Sequence, residues 1–206
     1  MFTRNHRKLI ATLSACAALL GTVASASAHV VGVVDDAIIV PAPSTVEPGG
    51  AMQSIEFFNE KQDVILPYDL VVDLVPGDYE TLPDMACSQV VIPGGTCVRS
   101  HYGYLQNPTT LFLEGGARFN REILGVMVTQ GGLDATNFLG AGATTYPSGA
   151  VCGSGSPIFS CGLDMASNDR LSIASQTVTL DLEASVPGDR VRVITVGNAA
   201  SCQSLN

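Results

Sequence analysis

The stretch Thr177-Val178-Thr179-Leu180-Asp181-Leu182-Glu183-Ala184 decides the fold class. Val178, Leu180, Leu182 and Ala184 fall on one side of an extended chain, and Thr177, Thr179, Asp181 and Glu183 on the other. A period of two with one polar face is the pattern of a half-buried antiparallel strand. The pattern recurs on both sides of this stretch. Leu70, Val72 and Leu74 alternate with Asp69 and Asp73, and Ile55 and Phe57 with Ser54 and Glu56. Val191 and Val193 alternate with Arg190 and Arg192, which predicts a wet arginine face. Ile123 to Val128 is continuously apolar and predicts a central strand buried on both sides. Val30 to Val40, broken by Asp35-Asp36, predicts one strand or a hairpin.

Turn chemistry separates these runs. Pro48-Gly49-Gly50, Pro76-Gly77-Asp78, Pro93-Gly94-Gly95, Gly115-Gly116 and Pro187-Gly188-Asp189 are strong breakers. Many short strands so punctuated predict an all-β antiparallel sandwich or jelly roll. One short helix is expected at 134–139, with Asp134 as its cap, Leu133 and Phe138 at staple spacing and Gly140 closing it. No internal repeat and no linker divides the chain, and 140–157 reads as a long loop.

Composition agrees with one globular domain. The chain has 206 residues, 46% hydrophobic and 14% charged, too apolar and too weakly charged for a disordered tail. Its one long apolar stretch lies at the N-terminus, so a membrane bundle is excluded. Residues 1–28 read as an export signal: Arg4, Arg7 and Lys8, then apolar Leu9 to Val23, then Ala26-Ser27-Ala28 as the cleavage site. The mature domain is then 29–206, secreted, periplasmic or on the outer surface. A lipobox reading, Leu13-Ser14-Ala15-Cys16, is the minority alternative: the apolar run before Cys16 is short, and a second one, Ala17 to Val23, follows it.

The whole chain carries 10 basic and 19 acidic residues. Loss of the three basic residues of the signal leaves a net charge near −12, with Lys61 as the sole lysine. Phosphate backbones need Lys/Arg stripes, so nucleic acid is excluded as a partner. Anionic membrane surfaces are disfavoured on the same ground. No membrane span is expected after cleavage.

Five cysteines remain, at 87, 97, 152, 161 and 202. Export implies an oxidising compartment, where pairing is the default. Cys87 and Cys97 flank one short loop and Cys152 and Cys161 another, which suggests two local staples. Spacing does not fix connectivity. Cys202 is left over: unpaired, joined to another molecule, or displacing one local partner.

Several segments, in order, carry a resemblance. They are Phe58-Asn59-Glu60-Lys61-Gln62 with Asp69 to Asp73; Ser100-His101-Tyr102 with Asn107-Pro108; and Ile123 to Val126 with Leu133 to Gly140. Asp169 to Ile173 and Ser185 to Thr195 complete the set. Together, over roughly 55–196, this set resembles an uncharacterised secreted bacterial β-sandwich domain often found ahead of a PEP-CTERM sorting anchor. The resemblance implies an extracellular β-domain with no established activity. No Pro-Glu-Pro motif, apolar span or basic tail follows Thr195, so no anchor is expected here.

Three chemistries compete for the polar residues. Cleavage after Ala28 makes His29 the first residue, and His29 with His101 is the pair that could chelate copper. The competing reading makes His29 an accident of the cleavage position. Carboxylates at strand ends suit Ca²⁺, with Asp164, Asn168 and Asp169 the best local cluster. The competing reading is solvated turn residues. Hydrolysis has little to work with: Gly153-Ser154-Gly155-Ser156-Pro157 is not a nucleophile elbow, and His101 would be the lone base. Tyr102 and Tyr104 share one strand face, and that face reads as core before it reads as a sugar platform.

The expectation is a non-enzymatic exported envelope, matrix or surface-recognition protein, acting on an extracellular protein or polysaccharide through loops at one end of the sandwich. The alternative is a metal-binding or carbohydrate-active secreted protein, with copper at His29 and His101 or a Ca²⁺-stabilised glycan-binding module.

Overall fold

The computed structural model describes residues 29–46, 51–79, 90–147, 162–163, 168–184 and 188–203. Strands are numbered along the chain. The first sheet has five, in the order β1 (Val30–Asp35), β9 (Leu111–Phe119), β12 (Thr177–Ala184), β11 (Arg170–Ile173) and β6 (Gly77–Tyr79), with every neighbouring pair antiparallel. β12 keeps the alternation read from its sequence. Val178, Leu180 and Leu182 are buried, while Asp181 is exposed.

The second sheet has six strands: five on the path β10 (Ile123–Met127), β13 (Asp189–Val196), β8 (Cys97–Leu105), β3 (Ile55–Asn59) and β2 (Ala37–Ile39), and β4 (Val64–Ile65) off it, pairing the start of β8. It is mixed, because β2 runs parallel to β3. Its inner face, with Phe57, Val126, Val191 and Val193, packs on Ala117, Phe119, Leu171, Val178 and Leu180 of the five-stranded sheet. The result is sandwich-like, two packed sheets around one core.

The other face of the six-stranded sheet is also covered. A two-stranded ribbon, β5 (Leu70–Val72) with β7 (Val90–Ile92), lies there with helix α1 (Gln130–Ala135) and a 3-10 turn at Asn137–Leu139. Leu70, Val72, Ile92, Leu133 and Leu139 meet Phe58, Val98, Tyr102, Tyr104, Met127 and Ile194. The six-stranded sheet is therefore the middle of three layers, which corrects the expected wet face of β13. Arg190 and Arg192 are 1% and 0% exposed. Period two marks two faces; it does not say that the polar one meets water.

Other expectations shift for local reasons. Ile123 to Met127 is buried on both faces but ends the sheet, where Leu74 bridges to Val126. Val30 to Val40 is two strands in different sheets, turned at Asp35, whose φ is 49°. Helix α1 starts earlier than expected: the cap is Thr129, whose side chain accepts from the Gly132 amide. Gly77-Asp78 lies within β6 rather than in a turn.

The disulfide is also different. Cys97 bonds to Cys202 across 105 positions, so Cys97 is not stapled to Cys87 and Cys202 is not unpaired. The end of β13 lies beside the start of β8, with Val196 opposite Val98. Gly197 then passes so close that a Cβ would sit 2.5 Å from the Cys97 sulfur, and the chain turns into helix α2 (Ala199–Gln203), which carries Cys202. Register, not loop length, selects this pair. Cys87, Cys152 and Cys161 lie outside the described residues.

Candidate functional site

The densest polar constellation is internal. Glu60 follows β3, where Glu60 and Lys61 together oppose Ser100: the Glu60 amide donates to the Ser100 carbonyl and the Ser100 amide to the Lys61 carbonyl. Two residues against one is a bulge, a device that re-aims a side chain. Glu60 meets Arg192 through two bonds, Nε to Oε2 at 2.8 Å and Nη2 to Oε1 at 2.9 Å, with both side chains fully buried. Ser100 Oγ donates to Glu60 Oε2. Arg192 Nη1 donates to the Leu133 carbonyl (2.8 Å) and Thr136 Oγ1 (2.7 Å), and Nη2 reaches Asn137 Oδ1 (3.3 Å). Its guanidinium lies 5.2 Å from the Tyr102 ring centre and 5.1 Å from that of Tyr146.

Arg192 thus fastens the helical layer to the middle sheet. Burial works against its charge, but Glu60 and the two tyrosines outweigh that and raise its pKa. Burial pushes the Tyr102 hydroxyl up, and burial with Glu60 does so for Tyr146. Tyr102 and Tyr104 are core residues, not a platform, as expected of that face. Such a pair, sealed from solvent, holds structure and offers no room for a substrate.

The two histidines meet at one amide. Asn59 Oδ1 accepts from His101 Nδ1 (2.8 Å) and from the Val30 amide (3.1 Å), and Asn59 Nδ2 donates to His29 Nδ1 (3.0 Å). An amide oxygen cannot donate, so His101 carries its proton on Nδ1, and Nε2 accepts from Thr195 Oγ1 at 3.2 Å. Burial, then the charges of Arg99 and His29, pushes His101 down to about 3. His101 is a neutral core histidine with both nitrogens engaged. The structure brings the pair together, yet it places a carboxamide, not an open coordination position, between them.

Of the Ca²⁺ cluster, only Asn168 and Asp169 are described. Asp164 lies outside the described residues. Asn168 Nδ2 donates to Glu183 Oε2 (2.7 Å), and Asp169 Oδ1 accepts from the Glu183 amide (2.9 Å), so both bind β12. Among the described residues, no three His, Cys, Asp or Glu side chains gather closely enough to hold a metal ion.

Asp63 makes a second clasp beside the disulfide. Its carboxylate accepts from Arg99 and from the Asn198 amide at 2.7 Å. Burial alone would raise its pKa; the bonds from Arg99, Asn198 and Ser201 prevail and hold it below the ordinary carboxylate value.

What remains open lies on edges and outer faces. β1 and β2 end their respective sheets on the same side, joined through Asp35-Asp36, and leave Val31, Val33, Val34, Ile38 and Ile39 exposed. The sequence quotes this run as a strand but gives no sign that it lies at an edge. No described helix is long and apolar enough to cross a membrane. Comparison with protein-family models, with curated proteins and with solved structures returns no match.

Proposed function

We propose that the protein is a non-enzymatic exported component of an envelope or extracellular matrix, and that it assembles by pairing β1 with β1 of a second copy. The exposed apolar edge carries this reading. Natural sheets blunt their edges with lysine, proline or inward-pointing charge. β1 has none of these along Val30-Val31-Gly32-Val33-Val34, where its one edge-blunting feature is a register irregularity against β9 between Val30 and Gly32; acidic residues begin only at Asp35. Val31 is 54% exposed and Val33 41%. The sequence is also symmetric about Gly32, with the irregularity of β1 on its N-terminal side. An antiparallel pairing of two copies across a two-fold axis there sets Val31 against Val33, and Val30 against Val34, on both sides. On this reading recognition runs through a sheet edge rather than through the expected loops. Export agrees with the signal-like N-terminus and with the Cys97–Cys202 disulfide.

Sedimentation velocity over a hundredfold concentration range tests the proposal. The expected result is a monomer–dimer equilibrium that Val31→Lys with Val33→Lys abolishes, with melting temperature retained. A monomer at every concentration, or association indifferent to the two lysines, contradicts it.

A further inference from the structure

We infer that the outward face of the five-stranded sheet binds a neutral glycan chain. This does not rest on the edge pairing, since it uses a different surface. Register places the side chains in rows across the sheet. Asp78, Ser172, Thr179 and Gly116 form one row, from β6 through β11 and β12 to β9. Arg170, Asp181 and Glu114 form the next. Glu183 and Phe112 form a third. Asp78, Ser172 and Thr179 of the first row and all of the second, with Tyr79 and Leu171, line a depression of ≈ 250 Å³. Gly116, at the end of the first row, cannot carry a side chain: a Cβ there would lie 2.2 Å from the Val178 carbonyl oxygen.

Three features of this face point to a ligand. First, Asp181 and Glu114 are direct cross-strand partners, and like charges so placed destabilise a sheet. Second, Arg170, opposite Asp181, forms no ion pair with it; among the described residues the side chains of Arg170, Asp181 and Glu114 make no hydrogen bond or salt bridge. The fold gains nothing from this arrangement, and such local conflicts concentrate at functional sites. Third, Phe112 is 62% exposed on the same face, two residues from Glu114 and therefore about 7 Å away along β9.

The chemistry selects the occupant. Within the depression three carboxylates (Asp78, Glu114, Asp181) against one guanidinium (Arg170) repel anions, so phosphate and acidic polymers are disfavoured there. Free acceptors (Asp181, Glu114), a free five-donor fork (Arg170) and the Thr179 hydroxyl, beside a Ser172 hydroxyl that donates to Asp78, suit a ligand whose every polar group both donates and accepts. An exposed aromatic ring adds an apolar face for stacking. A neutral polyhydroxylated chain has both properties.

Affinity electrophoresis of the purified protein through gels containing dextran, hydroxyethyl cellulose or galactomannan tests this, with dextran sulfate as the acidic control. At least one neutral polymer should retard the protein. Phe112→Ala and Arg170→Ala should each weaken that retardation tenfold or more, while Val71→Ser on the ribbon and Val31→Lys on the edge leave it unchanged. All four positions are exposed, and unaltered melting curves will show that the variants fold. No retardation by any neutral polymer overturns the inference. So does binding that survives both substitutions, retardation by dextran sulfate alone, or loss of self-association in Phe112→Ala with glycan binding intact.

Discussion

Arg192 and Glu60 stand 132 positions apart in sequence and form a two-point ion pair with no solvent exposure on either side. Removing one partner leaves a buried charge without its counter-ion. Glu60→Ala or Arg192→Ala should each cost about 3–5 kcal/mol in denaturant unfolding, near the whole stability of many domains. Glu60→Leu with Arg192→Met should cost far less than the sum of the single changes, because both desolvation penalties disappear together. Additive losses would show that the two residues do not act as a pair.

His101 predicts a pH dependence. Its folded pKa, about 3, lies below the ordinary 6.5, so between those values the unfolded chain binds a proton that the folded one does not. Stability from this residue is complete above about pH 6.5 and is lost as pH falls toward 3. At pH 5 the loss is about 2 kcal/mol, from about 1.4 kcal/mol per unit of separation. His101→Gln should flatten the melting profile between pH 7 and 5, whatever its effect on stability at pH 7. An unchanged slope would place the titration elsewhere.

Peptide mapping without reduction should return Cys97 joined to Cys202. Closing a loop of 105 residues contributes roughly 2–5 kcal/mol through the unfolded chain. Cys202→Ser should lower stability by that order, read by denaturant unfolding, and should speed amide exchange in α2. A peptide joining Cys97 to Cys87 would contradict the register argument.

Asp63 gives that same corner an acid sensitivity of the opposite origin. Its folded pKa is held below the unfolded value, so its contribution is present above the ordinary carboxylate range and is lost as pH falls through the lowered one. Asp63→Asn should leave the melting temperature less dependent on pH below about pH 4 than in the unsubstituted protein. An equal acid slope would mean that Arg99 does not stabilise the charged form.

The fold was legible where one face meets water. β12 shows this: its four outward positions read as polar and its inward ones as core. The sequence was misleading where a third layer covers the sheet. Arg192 alternates with apolar neighbours and Glu60 lies in the polar run Asn59 to Gln62, as surface residues do; Arg192 is core because it packs against Leu133 and Thr136, and Glu60 because it pairs with Arg192. The segments from Phe58 to Gln62, Ser100 to Tyr102, Leu133 to Gly140 and Arg190 to Thr195 were visible as separate short motifs. Their meeting point at Arg192 was not, since it depends on register over more than a hundred residues. The outward row Arg170–Asp181–Glu114 was hidden because it joins a hairpin neighbour of Asp181 to a strand 67 positions away. Cross-strand neighbours are set by pairing, and sequence spacing carries no trace of it.

The edge proposal has a sharp geometric consequence. A two-fold axis at Gly32 sets the two copies of this residue opposite each other, with Cα atoms about 4.5–5.5 Å apart, inside the range that a disulfide spans. A side chain there meets nothing within 4 Å, so Gly32→Cys is tolerated by the fold. The decisive measurement is mild oxidation of Gly32→Cys followed by mass spectrometry of the unreduced peptides. The account predicts a covalent dimer well above the level of the unsubstituted protein, joined at position 32 to its own copy. A variant that stays monomeric under conditions where the protein self-associates would contradict it.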